Sequence, residues 1–292
     1  MTRTLETEKP QASVGLFELE KAGNVETVRR IKFTYPLKLI VPKSTSTFTT
    51  LYVLNYGGGL VAGDEVQLRI SIGDLCVLSI QTQGSTKVFK TIAGKGPSTQ
   101  NIKIRIGSQA TCLSLPDPVQ PFADSVYTQT QVCELADDTC SLALLDWMVN
   151  GRSLLNERWD MTSYVSKNII QRDGKTLVRD VLKLVKQDPL SACPIADRME
   201  HFECVGTLFL VGPQFRQLSE QLLEHQRWKL DRLNKTMKAE ERPVVLWTAC
   251  CIRGVTIVKF GSLDTQSSRD FLLDLFKNYA SHISLEALRA FR

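Results

Sequence analysis

From residue 66 onward the chain returns repeatedly to a two-residue alternation of apolar and polar side chains. Val66, Leu68, Ile70 and Ile72 alternate with Gln67, Arg69 and Ser71, and Ile102, Ile104 and Ile106 alternate with Lys103 and Arg105. In an extended strand successive side chains point to opposite faces, so each run predicts a strand with one face in a core and the other in water. Gly73-Asp74 and Gly107-Ser108 close these runs with turn residues. Residues 169–178, IIQRDGKTLV, predict a hairpin, because Asp173-Gly174 suits a tight turn with positive φ. Two late strands, at 244–252 and 255–260, flank Arg253-Gly254.

The period changes in the last third of the chain. Phe215, Leu218, Leu222, Leu223, Leu230, Leu233 and Met237 recur at near-helical spacing and predict a helix over 213–238, with Pro243 beyond its end. Its other face carries Glu220, Glu224, Arg227, Asp231 and Lys235 three or four residues apart, the spacing of a solvated face supported by local ion pairs. A second helix is predicted over 265–279, burying Leu272, Leu275, Phe276 and Tyr279, with a short amphipathic tail at 284–291. The expected organisation is one mainly β domain over residues 14–292, with two helices in its C-terminal half and a flexible polar lead before it.

Composition removes several function classes. The 292 residues are 43% hydrophobic and 23% charged, the balance of a soluble globular protein large enough to bury its own core. No apolar run approaches the roughly 18 to 20 residues of a membrane span, and residues 1–15 lack the apolar centre of a signal peptide, so a cytoplasmic protein is expected. The net charge of +5 is spread along the chain without a basic tract, which argues against nucleic acid. Eight cysteines lie scattered without CxxC spacing, several of them inside apolar runs, and are expected to be reduced.

Three acidic residues stand out as candidate chemistry. Gly57-Gly58-Gly59 invites a phosphate-loop reading, yet Gly63 is followed by Asp64 and Glu65 instead of Lys and Ser or Thr. A tight turn in which Asp64 bonds nearby amides is the simpler reading. In residues 142–157, LALLDWMVNGRSLLNE, Asp146 falls on the same strand face as Leu142, Leu144 and Met148. An ionised carboxylate there costs several kcal/mol unless paired, hydrated or protonated. Two readings stay open: an ion pair with Arg152 or Arg158, or a carboxylate facing a water-filled passage open to a divalent cation. Asp146 and Glu157 as a hydrolytic carboxylate pair is a further alternative, since no sequence spacing fixes their separation. A Cys/His metal site is weaker: His201 and Cys204 diverge on a flat strand, and no HExxH, GxSxG or paired CxxC accompanies the three histidines.

Several blocks occur together in order: NYGGGLVAGDE at 55–65, TQGSTKVFK at 82–90, LPDPVQPFADSVYTQ at 115–129 and DWMVNGR at 146–152, preceded by YPLKLIVP at 35–42. This combination resembles the UreD (UreH) family of urease accessory proteins, in its eukaryotic form, over about residues 35–160. Beyond about residue 170 the match is diffuse, and the polar stretch at 188–200 reads as a lineage-specific loop. The resemblance implies a mainly β fold of stacked, β-helix-like sheets with two helices. It also implies no catalysis of its own but a part in loading nickel into urease, in complex with UreF and the GTPase UreG and in contact with the urease apoprotein. Asp64, Asp146 and Glu157 match positions for acidic groups along a polar passage proposed as the route of the ion. No tightly bound cofactor is implied, only nickel in transit. Oxygen ligands suit that role, because a conduit must release what a thiolate or imidazole cage would retain. The tail, with Leu288 and Phe291, is the expected docking face for a UreF-like partner. The alternative to a nickel conduit is a β-rich protein-binding module with no metal role.

Overall fold

The computed structural model describes residues 12–43, 48–152, 155–188, 193–233 and 243–277. The chain opens with an antiparallel hairpin of β1 (Ser13–Ala22) and β2 (Val25–Phe33), followed by β3 (Leu37–Ile40). It then winds in coils. The first coil holds β4 (Thr49–Asn55), β5 (Gly59–Leu60) and β6 (Glu65–Ile72); the second holds β7 (Val77–Gln81), β8 (Thr86–Val88) and β9 (Ser98–Ile106). The third holds β10 (Thr111–Ser114), β11 (Val119–Pro121) and β12 (Val126–Leu135), and the fourth β13 (Ser141–Val149) and β14 (Ser163–Arg172).

Corresponding strands of successive coils pair in parallel. β4, β7, β10 and β13 make one face, β6, β9, β12 and β14 a second, and β5, β8 and β11 a short third. The third face rejoins the first where Val119 pairs with Met148. This is the stacked, β-helix-like arrangement that the family resemblance implied. Further strands finish the stack, all antiparallel to their neighbours except β1, which joins β6 in parallel. At one end β1 adds to β6 and β3 to β4; at the other, β14 turns into β15 (Lys175–Val185). β13 continues there into β16 (Cys204–Val211), β18 (Val255–Ser262) and β17 (Val245–Ile252). The result is a seven-stranded and an eleven-stranded sheet.

The alternating runs at 66–72 and 102–106 are β6 and β9. The expected tight turn forms, with positive φ at Asp173 and Gly174, and Arg253 and Gly254, between the two late strands, also take positive φ. The two expected helices are α2 (Arg216–Leu233), entered through a 3-10 turn at Pro213–Phe215, and α3 (Thr265–Lys277). The stretch at 188–200 is not wholly loop: α1 (Ile195–Arg198) buries Ile195, adding a third, short helix in the C-terminal half. Tyr279, Met237 and the tail with Leu288 and Phe291 lie outside the described residues.

Two cores share one strand. β13 is buried at every position, so SLALLDWMV reads as a continuous run and not as an alternation. Leu142, Leu144 and Met148 face the core between the sheets, together with Phe17, Leu68, Ile104 and Tyr164. Ala143, Leu145, Trp147 and Val149 face the opposite way, against Phe215, Leu218 and Leu222 near α2 and Leu272 and Phe276 of α3.

The triple glycine divides its labour. Gly57 and Gly58 take positive φ of 76° and 72° with nothing within 4 Å of an added Cβ, whereas Gly59 is extended and lies where a Cβ would meet the Lys87 carbonyl oxygen at 2.2 Å. Gly58→Ala is expected to cost about 1 kcal/mol through backbone strain alone. Gly59→Ala must push β5 off β8, and an overpacked site of this kind costs about 1 to 3 kcal/mol or more. Thermal melting of the two variants is expected to rank Gly59→Ala well below Gly58→Ala; the reverse order would remove the close approach as the reason for the third glycine.

Candidate functional site

Asp146 sits mid-strand on β13, its side chain directed between the sheets. Opposite it, β12 and β14 run parallel and in register, pairing Tyr127 with Tyr164, Gln129 with Ser166 and Gln131 with Asn168. These are the inward positions of both strands, so an aromatic-polar-polar column in one strand stacks on the same column in the next. Ser166 Oγ and Asn168 Nδ2 each donate to Asp146 Oδ2 at 2.6 Å, and Gln129 Nε2 donates to Oδ1 at 3.2 Å. Tyr127 hydroxyl is 3.1 Å from Gln100 Oε1 and 3.0 Å from Gln129 Oε1, which carries the network back to β9.

Neither arginine neutralises this carboxylate. Arg152 pairs with Glu157, and Arg158 donates to the carbonyls of Glu200 and Phe202. The buried ion pair, one of the two readings left open for Asp146, is therefore absent. Desolvation raises the Asp146 pKa, the neutral hydrogen bonds of Ser166 and Asn168 oppose that rise, and the negative charge of Asp180 adds to it. Burial foremost, then the charge of Asp146, holds the Tyr164 and Tyr127 phenols protonated.

Two cavities meet at this residue. One, of about 50 Å3, lies inside the coils and is lined by Gln100, Gln129, Gln131 and Asp146 together with Thr82, Thr86 and Asp117. It has room for a few water molecules with polar partners. The other, of about 210 Å3, lies toward the antiparallel end, between Asp146, Tyr164, Thr207, Met199 and Lys259. Asp146 and Trp147 border both. Along the eleven-stranded sheet Asp146 is paired with Thr207 and Thr207 with Lys259, while across the gap Asn168 is paired with Asp180. Lys259 Nζ donates to Asp180 Oδ1 at 2.8 Å and spans the two sheets at the rim of the larger cavity.

The smaller cavity reaches a corner of the coils where sequence blocks distant in the chain converge. β10 leaves β13 after Ser114↔Leu144 and β11 joins it only at Met148, so Asp117, in the turn between them, stands over the intervening gap. Asp117 Oδ2 accepts from the Gly84 amide at 2.8 Å and the Thr82 hydroxyl at 3.3 Å, and Asp117 Oδ1 accepts from Arg269 of α3. Residues of the TQGSTKVFK, PDP and DWMVNGR blocks thus share one wall.

The other two acidic candidates are placed elsewhere. Asp64 Oδ2 accepts from the Val61 amide at 2.9 Å and closes the turn between β5 and β6, in the first coil. Glu157 is clamped by Arg152 and lies 3.3 Å from the Ala123 amide, and the Arg152 guanidinium holds its carboxyl below the usual range. Neither lines the two cavities, so the three carboxylates do not gather around one point. Among the described residues no three His, Cys, Asp or Glu side chains are grouped as a metal site. Cys76, Cys112, Cys133, Cys140 and Cys204 are buried thiols, and burial pushes Cys133 up to about 12. No described helix is long and apolar enough to cross a membrane. Sequence reading passed over Gln129, Ser166, Asn168 and Asp117; its usable signal was the pair of polar residues on the inward parity of YTQTQVCEL and of YVSKNII.

Comparison with known proteins gives a consistent result. The sequence model of the UreD urease accessory protein family matches residues 11–290. A ureD-like urease accessory protein of Schizosaccharomyces pombe is 49% identical over 283 residues, covering 95% of this chain and 98% of its own. Urease accessory protein D of Arabidopsis thaliana is 35% identical, covering 73% and 72%. Urease accessory protein 4 of Cryptococcus neoformans is 31% identical, covering 82% of each chain.

The raised pKa of Asp146 fixes the sign of a pH effect. Its unfolded value is about 3.9, so the native state binds this proton more tightly and the residue's contribution to stability falls as pH rises from about 4 through the native value. Asp146→Asn removes that loss without stranding a cation, and the Gln129 amide can turn to meet the new donor. The variant is expected to melt at or above the wild-type temperature at pH 7, with the difference closing toward pH 4. A marked fall in melting temperature at pH 7 would mean that the ionised carboxylate holds the sheets together.

Proposed function

Since the chain belongs to the UreD family of urease accessory proteins, we propose that it serves urease maturation as a scaffold and as a conduit through which nickel passes to apo-urease, catalysing no reaction itself. The observation that carries the reading is Asp146, a buried carboxylate with only neutral partners, on the border of two cavities. At an effective dielectric of about 20, unit charges about 4 Å apart attract by about 4 kcal/mol, and a divalent ion doubles this. That attraction offsets part of the cost of dehydrating the ion without creating a trap, because the groups bonded to Asp146 are two amides and a hydroxyl, with no thiolate or imidazole among them. Entry of the ion displaces any proton on Asp146, so delivery is expected to slow as the pH falls.

The working form in this reading is a complex with UreF-like and UreG-like proteins docked on apo-urease in the cytoplasm, and nickel is cargo in transit. Asp64 and Glu157 are assigned the tasks of holding the first-coil turn and the segment after β13, and act on transfer only through the shape of the coils. Cells lacking the chain are expected to accumulate urease protein with little nickel and little activity; fully active urease there would end the accessory reading. Within the assembled complex, Asp146→Asn is expected to leave partner recovery unchanged and to slow urease activation at least about tenfold, the effect of losing roughly 1.4 kcal/mol of attraction. Activation at the wild-type rate by a complex of normal composition would exclude Asp146 from the route.

A further inference from the structure

We propose that Arg269 is a resident cation that stoppers the smaller cavity at its corner, and that lifting α3 exchanges this guanidinium for a divalent ion held by Asp117. The proposal rests on reading the cavities as a cation route. Arg269 stands three residues before Leu272 and seven before Phe276, so a charged side chain occupies the buried stripe of α3. Its guanidinium pairs with Asp117 and lies 5.8 Å from the centre of the Trp147 ring, next to the wall shared by both cavities. Both partners are largely covered, Asp117 at 8% side-chain exposure and Arg269 at 20%.

The two halves of this pair are anchored differently. Asp117 is tied to the coils by the Gly84 amide and the Thr82 hydroxyl, so its carboxylate keeps its position whether or not α3 is present. Arg269 depends on α3, whose first turn is held by Asp264, accepting from the Ser267 amide and hydroxyl at 2.7 Å each, and by the 2.7 Å contact of Ser268 with Ser262. Removing the helix leaves a fixed carboxylate without its cation at a cavity where Thr82, Thr86, Gln100, Gln129 and Gln131 stand among apolar side chains, and such a group draws in the nearest cation. With the helix in place a divalent ion meets a guanidinium first and is repelled. A ligand that engages α3 thereby opens the corner.

Equilibrium dialysis of the full-length chain against nickel alone tests this. Arg269→Gln is expected to bind nickel at least about tenfold more tightly than wild type, Arg269→Lys to behave as wild type because it keeps the charge, and Arg269→Gln with Asp117→Asn to lose the gain. Wild-type affinity in a natively folded Arg269→Gln, or a gain that survives Asp117→Asn, would overturn the stopper. Amide exchange across α3 in the unsubstituted chain gives a second readout that no folding defect can confuse. Faster exchange in the assembled complex during nickel delivery is expected, and unchanged protection would overturn the exchange of cations. The Asp146→Asn activation assay separates the two readings. If that variant slows activation while Arg269→Gln binds no extra nickel, the route stands and the stopper falls; if it activates normally while Arg269→Gln gains nickel, the stopper stands at a site that is not on a route.

Discussion

Each inner strand of the stack is hydrogen-bonded to the strands before and after it, so a residue's place within its coil sets the face it lines and its coil sets how far along the stack it lies. Parallel, in-register pairing makes this strict, because a slip of one residue would turn every inward side chain to water. The inward columns record the consequence. Val66, Gln100, Gln129 and Ser166 form one column and Leu68, Ile102, Gln131 and Asn168 the next, so the interior passes from apolar in the first coil to polar in the fourth. Ile70, Ile104, Cys133 and Ile170 stay apolar one step further along the strands and seal that side. A buried carboxylate is tolerable at Asp146 because three donors from β12 and β14 converge on it, and they do so only while the coils keep register.

Local structure was largely legible in the sequence, and its assembly was not. β6 and β9 follow from alternation, the turn at 173–174 from Asp-Gly, and α2 and α3 from helical spacing. α1 escaped because four residues carry too little periodicity to read. The inward parity of Asp146 was visible from Leu142, Leu144 and Met148, but its partners lie 17, 20 and 22 residues away on strands whose register no local pattern reveals. An arginine partner was a reasonable expectation for a buried acid, since charge is the strongest compensation on offer; here neutral donors supply it, and the pKa moves upward instead. Asp117 lay unmarked between two prolines, and Arg269 went unmarked too, although it shares the stripe of Leu272 and Phe276.

In the proposed reading, the chemistry around the cavities suits transfer better than capture. Oxygen and amide groups border the cavities among apolar side chains, thiols and imidazoles do not, and the cations Lys259 and Arg269 stand on neighbouring elements, β18 and α3, one at the larger cavity and one at the corner of the smaller. In the proposed reading such a protein would attract a divalent ion weakly in its middle and oppose it at its margins, so that passage would depend on what docks outside. Membership of a family of urease accessory proteins agrees with such dependence on partners.

The central claim is that a nickel ion on its way to urease meets the Asp146 carboxyl group. Infrared difference spectroscopy of the assembled complex, recorded while nickel is delivered to apo-urease, observes that group directly. The band belonging to Asp146 is identified by its loss in Asp146→Asn. A transient shift of this band during delivery is the result expected here; a band that stays unchanged while urease becomes active would contradict it.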